Sequence, residues 1–175
     1  AYQKHWAFIP PKQTTVPHLP NPTGAKQPID FFIDRQLQSR GWQPNEAADP
    51  ARLIRRLALD LTGLPPSRDM VERFVAEPSE SNYETLVDEL LNSPAYGEHW
   101  ASMWLDLARY ADTVGYASDE NRTIWPWRDW LIQSLNENKP FDLFTTEIIA
   151  GDLLPNPSIE QRLATAFHRN TLNNN

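Results

Sequence analysis

From residue 28 onward, large apolar residues recur at intervals of three and four, the spacing of a single helix face. Ile29, Phe32, Ile33 and Leu37 form the first series, with Asp30 expected as its N-cap and Gly41 as a left-handed stop. Asp49-Pro50 then sets an N-cap before a proline at the first helical position, and Leu53, Ile54, Leu57 and Leu61 follow until Gly63 and Pro65-Pro66 break the pattern. Ser67 opens a short helix holding Met70, Val71 and Phe74, and Ser81 or Asn82 opens another carrying Tyr83, Leu86, Val87, Leu90 and Leu91. The longest series begins at Pro94 and runs to about Ala111, with Trp100, Met103, Trp104, Leu107 and Ala111 on its apolar face. After an aperiodic stretch from Gly115 to Ile124, Trp127, Trp130, Leu131 and Leu135 restart the helical spacing. Phe141, Phe144, Ile148 and Ile149 continue it to Gly151, and the capping box Ser158-Ile159-Glu160-Gln161 opens a last helix through Leu163, Ala166 and Phe167. The pattern predicts an all-α chain, a compact bundle of about seven to eight helices, with no alternating run that would make a hairpin and no repeat period.

Residues 1–28 break this pattern with six prolines, each of which removes a donor and extends its predecessor. They read as an extended proline-rich arm, whose Trp6, Phe8 and Ile9 are the groups able to dock it onto a body, and residues 29–175 read as one helical domain. The close at Asn173-Asn174-Asn175, without a final helix or glycine stop, reads as a domain truncated from a longer multidomain protein.

Composition narrows the function classes. The chain has no Cys, so it offers neither a disulfide nor a thiolate metal site nor a thioether anchor for haem. Its formal charge is −7, and residues 1–87 balance 10 basic against 10 acidic side chains while residues 88–175 carry 6 against 13. A nucleic acid would meet net repulsion there, which argues against that partner. No run approaches the roughly 18 apolar residues of a membrane span, and the first residues lack the apolar core of a signal peptide.

The densest local chemistry lies between Trp100 and Trp130, which hold five of the seven tryptophans. Tyr110, Asp112, Tyr116, Trp125, Trp127, Arg128 and Asp129 are the ligand-binding candidates, because aromatic faces beside carboxylates and guanidinium groups suit a sugar groove. The same residues also suit a small helical core. Asp106 and Arg109 stand at ion-pair spacing on the predicted central helix, with His99 at the border of its aromatic face. With Asp112, Asp152 and His168 they are the catalytic candidates, either as paired carboxylates or around a metal. Asp112, Asp119, Glu120 and Asn121 offer hard oxygen ligands without matching a calcium-loop pattern, and the four histidines show no zinc spacing. No nucleophile elbow is present.

Several longer strings are distinctive: His5-Trp6-Ala7-Phe8, Leu53-Ile54-Arg55-Arg56-Leu57 with Leu59-Asp60-Leu61-Thr62-Gly63-Leu64-Pro65-Pro66, and Tyr96-Gly97-Glu98 before Trp100. Further along stand Trp104-Leu105-Asp106-Leu107-Ala108-Arg109-Tyr110-Ala111-Asp112-Thr113, Arg128-Asp129-Trp130, Ala150-Gly151-Asp152-Leu153-Leu154 and Phe167-His168-Arg169-Asn170-Thr171. In this order they resemble the planctomycete cytochrome-associated domain of unknown function. The resemblance implies an exported, periplasmic or cell-surface multidomain protein in which this domain follows a c-type cytochrome domain, so that any haem belongs to that neighbour and none to this chain. It also implies neighbouring cytochrome and downstream domains of the same polypeptide as partners; extracellular polysaccharide is a further expected partner, on the strength of the aromatic and acidic residues above. Two functions follow as expectations: a non-catalytic module binding a glycan or partner domain through its Trp-rich acidic surface, or part of an enzyme site completed by the downstream domain.

Overall fold

Each helix begins where a side chain or a proline relieves its unpaired N–H groups. In the computed structural model, which describes residues 5–19, 27–114 and 119–170, there are eight α-helices: α1 Pro28–Ser39, α2 Pro50–Thr62, α3 Arg68–Ala76, α4 Glu80–Leu91, α5 Pro94–Leu107, α6 Trp125–Asn136, α7 Phe141–Ala150 and α8 Ile159–Ala164. Short 3-10 turns cover Trp6–Phe8, Gly151–Leu153 and Thr165–Asn170. The described residues contain no strand beyond a single bridge between Thr113 and Asn121. The all-α class read from the periodicity is what forms, and the capping box at Ser158 and Gln161 is present.

Three expected boundaries move. Asp30 sits at the third position of α1 and accepts the Gln27 N–H at 2.8 Å, so the cap is Gln27 and Asp30 is the returning half of the box. Ser79, ahead of the expected Ser81 or Asn82, caps α4 by accepting the Asn82 N–H at 3.2 Å. The Asn82 side chain is committed elsewhere, donating to the Glu77 carbonyl at 2.8 Å. Helix α5 stops at Leu107 instead of continuing to Ala111. Its end is a Schellman turn in which the Arg109 N–H meets the Asp106 carbonyl and the Tyr110 N–H meets that of Leu105.

Two compact units are present, Ala1–Ala47 and Ala48–Asn175, so the division falls after α1. In the first unit His5 caps the Trp6–Phe8 turn and stacks on Trp6, whose ring is exposed along with Phe8 and Ile9. The second unit holds two cores. Ile54, Phe74 and Leu86 join α2, α3 and α4. Ala101, Ala108, Trp127, Trp130, Leu131, Phe144, Ile148 and Ala164 join α5, α6, α7 and α8.

The face that α5 buries is the expected one only in part: Trp104 packs against the core with its ring edge-on to Phe144, but the rest of the face shifts. Met103 and Leu107 are exposed, while Gly97, Ala101 and Ala108 are buried. Small side chains let α6 approach: a Cβ on Gly97 would lie 2.6 Å from the Ile132 carbonyl oxygen, and the Gly97 N–H donates to Asn136 Oδ1 at 2.8 Å. Gly63 serves the other side of α5, combining a left-handed φ of 68° with close contact to the His99 ring, which explains the Thr62-Gly63 string.

Gly151 is the tightest of these contacts. A Cβ there would meet the Gln161 carbonyl oxygen of α8, and backbone, unlike a side chain, cannot swing away. Gly151→Ala is expected to cost about 1–3 kcal/mol through forced separation of α7 and α8. A urea melt of the variant that overlays the parent curve would refute this packing role.

Candidate functional site

The region around Tyr110 is built by two chain reversals. The Schellman turn after α5 places Arg109 at φ 56°, a left-handed position where glycine is the usual residue. The chain then runs out and returns, with the Val114 N–H donating to the Glu120 carbonyl at 2.9 Å and the Arg122 N–H to that of Asp112 at 2.8 Å. Ile124, buried, precedes α6. At about 100° per residue, Trp125, Arg128 and Asp129 fall within about 100° of arc on one side of α6, and Trp127, Trp130, Leu131 and Ser134 fall on the other. The second group is buried, whereas Trp125 is 51% exposed.

Two polar pairs sit at this surface. The Tyr110 hydroxyl donates to Asp112 Oδ1 at 2.7 Å. Arg128 donates through Nε and Nη2 to Asp129 Oδ1 at 3.1 and 3.0 Å. Burial, then the Asp112 carboxylate, raises the Tyr110 pKa above its ordinary value, so the phenol, a donor at neutral pH in any case, stays one further into the alkaline range. The hydrogen bond to Asp129 likewise raises Arg128, with Tyr110 and Asp112 near enough to add to it. The Tyr110 ring also packs near Trp127, at 6.4 Å between centroids, so the surface rests on the core.

The sequence candidates therefore separate. Tyr110, Asp112, Arg128 and Asp129 are brought together, with Trp125 on the same face of α6 as the last two. Trp127 is a correction: it is 0% exposed, its Nε1–H donates to the Ala164 carbonyl at 3.1 Å, and it packs against Phe167, so it has no face to offer a ligand. The Asp106–Arg109 pair is a second correction. Because α5 ends before Arg109, the two meet only through backbone, and no ion pair joins them among the described residues. Asp106 and Arg109 are both exposed.

Among the described residues no three His, Asp or Glu side chains gather as metal ligands, so Asp112, Asp119 and Glu120 do not cluster. Asp152 lies exposed in the Gly151–Leu153 turn, and His168 lies exposed in the Thr165–Asn170 turn with its ring edge against Phe167. Neither takes part in the hydrogen bonds that build the Tyr110 and Arg128 pairs. Tyr116 lies outside the described residues.

Sequence reasoning passed over one feature. A cavity of about 370 Å³ is lined by Ile159, Arg162, Leu163, Thr165, Ala166 and Arg169. The i, i+3, i+4, i+7 spacing of Arg162, Thr165, Ala166 and Arg169 was the available signal. Among the described residues no helix is long and apolar enough to cross a membrane.

No curated protein and no solved structure matches the chain. A family model does match, over residues 28–175, and its span takes in every helix from α1 to α8 together with the Tyr110 surface. The chain belongs to the PSCyt2 family, proteins of unknown function (DUF1549).

Proposed function

We propose that the domain is a non-catalytic interaction module of an exported multidomain polypeptide, binding a glycan or a neighbouring domain through the surface of Arg109, Tyr110, Asp112, Trp125, Arg128 and Asp129. Any haem of that polypeptide would belong to a neighbouring domain. The observation that carries the reading is Arg109. A non-glycine residue in the left-handed region costs about 1–2 kcal/mol, and a glycine would relax this turn. The guanidinium that stands there instead is exposed and makes no ion pair among the described residues. A local backbone cost with no relieving contact, at the residue directly before the Tyr110–Asp112 pair, supports a role for this guanidinium in meeting a partner.

The test compares Arg109→Gly and Trp125→Ala with the parent on a glycan array and against the neighbouring domains of the polypeptide. Arg109→Gly is expected to raise stability by up to about 1 kcal/mol and Trp125→Ala to leave it nearly unchanged, while both lose the binding the parent shows. Retained binding in both variants would refute the assignment of this surface.

A further inference from the structure

We infer that the cavity on α8 and the turn after it is a second docking site, and that its occupant is an extended peptide segment bearing carboxylates on either side of an apolar side chain. The residues are distinct from the Tyr110 surface. Ile159, Leu163 and Ala166 supply an apolar lining, and Arg162 and Arg169 add two guanidinium groups to it. Both arginines are exposed, and neither forms an ion pair among the described residues. In a half of the chain with 13 acidic side chains against 6 basic ones, two of the six share one cavity without engaging any carboxylate.

The spacing selects the occupant. Helix α8 passes directly into the Thr165–Asn170 turn, so Arg162 and Arg169 are separated by roughly 10–12 Å of helical rise. An extended chain covers that distance in about three to four residues, so two carboxylates at that separation would meet the two guanidinium groups with apolar side chains between them. A free inorganic anion would satisfy only one arginine and leave the apolar lining unused. The Thr165 hydroxyl is already spent, donating to the Arg162 carbonyl at 2.7 Å, so the charged recognition falls to the arginines.

Next in sequence to Arg169 stands a buried amide. Asn170, 3% exposed, donates from Nδ2 to the carbonyls of Ala166 and Phe167, while its buried Oδ1 has no partner.

The experiment uses the full chain and a labelled peptide repeating Glu-Leu-Ala-Glu, with a twin carrying Gln for Glu, read by fluorescence anisotropy at two salt concentrations. The acidic peptide is expected to bind, to weaken with salt, and to bind about tenfold or more weakly to the Arg162→Gln, Arg169→Gln double variant. Ile159→Ser, at a position 80% exposed and therefore harmless to the fold, is expected to weaken binding without changing the melting temperature. Equal binding of the twin, unchanged binding by the double variant, or no binding of the acidic peptide overturns the proposal. So does binding of the chain to phosphatidylserine vesicles that the acidic peptide fails to displace, since that would make the site one for a lipid surface.

Discussion

Trp127→Ala is expected to lower the unfolding free energy by about 3–5 kcal/mol, the usual cost of truncating a fully buried tryptophan. The ring is 0% exposed and packs with Tyr110 on one side and Phe167 on the other, at 6.4 and 5.9 Å. Its Nε1–H also satisfies the Ala164 carbonyl, so truncation opens a cavity and strips a buried acceptor of its donor together. Denaturant melts check the magnitude, and Trp127→Phe should recover part of the loss by filling volume without restoring the hydrogen bond. A melting temperature close to the parent's, with loss of glycan or domain binding, would move Trp127 from the core to a binding surface. Trp125→Ala gives the internal comparison, since it lies two residues away on the opposite side of α6.

The second large effect is expected at Glu147. Its carboxylate, 5% exposed, accepts Lys139 Nζ at 2.6 Å through Oε2 and Gln161 Nε2 at 3.2 Å through Oε1. Lys139 in turn lies 5.0 Å above the Trp130 ring. One carboxylate thus ties the turn after α6 to α7 and α8. The left-handed Asn138, with φ 48°, forms the Schellman turn before Lys139, its own N–H donating to the Leu135 carbonyl and the Lys139 N–H to that of Ser134, both at 3.0 Å. Glu147→Gln leaves a poorly solvated ammonium without its counter-charge and is expected to cost about 3 kcal/mol, near the lower end for breaking a buried pair because Lys139 keeps 16% exposure. Replacing both partners, Lys139→Met with Glu147→Leu, is expected to cost much less than the sum of the single changes. A double-mutant cycle giving no coupling would show that the contact contributes nothing. The exposed Arg68–Glu72 pair on α3 is the control, where a cycle should find almost none.

The candidate surface was partly legible before folding. Trp125, Arg128 and Asp129 separate from Trp127, Trp130 and Leu131 on any helical projection of residues 125–136, because a helix that packs on one side must bury one arc. Treating the whole tryptophan cluster as one groove missed that division. Arg109 was misplaced for a different reason: Ala108 and Arg109 carry good helix propensity, so nothing local announces that α5 ends at Leu107. The left-handed turn is set by where Tyr110 and the returning strand of loop must go, with the Tyr110 ring against Trp127 and the Arg122 N–H on the Asp112 carbonyl. His168 and Asp152 looked like chemistry because they stood in distinctive strings. In those strings the structure puts Gly151 against α8, Asn170 on its own turn and the His168 ring edge on Phe167.

What the amino-acid sequence determined by itself was the helical class, the approximate places of the helices, and caps such as Asp49, Ser67 and Ser158. These depend on groups within four residues of one another, where the interacting atoms are brought together by the helix itself. Tertiary structure alone decided which face of α5 is buried. Both sides of that helix carry apolar residues, and periodicity does not choose between Met103 with Leu107 and Gly97 with Ala101. Packing chose the small side chains, because only they let the α6 backbone come close enough for Asn136 to cap Gly97, thirty-nine residues away. The meeting of Lys139, Glu147 and Gln161 was decided the same way: a charge eight residues before Glu147 and an amide fourteen residues after it reach one carboxylate only after the bundle has closed around them.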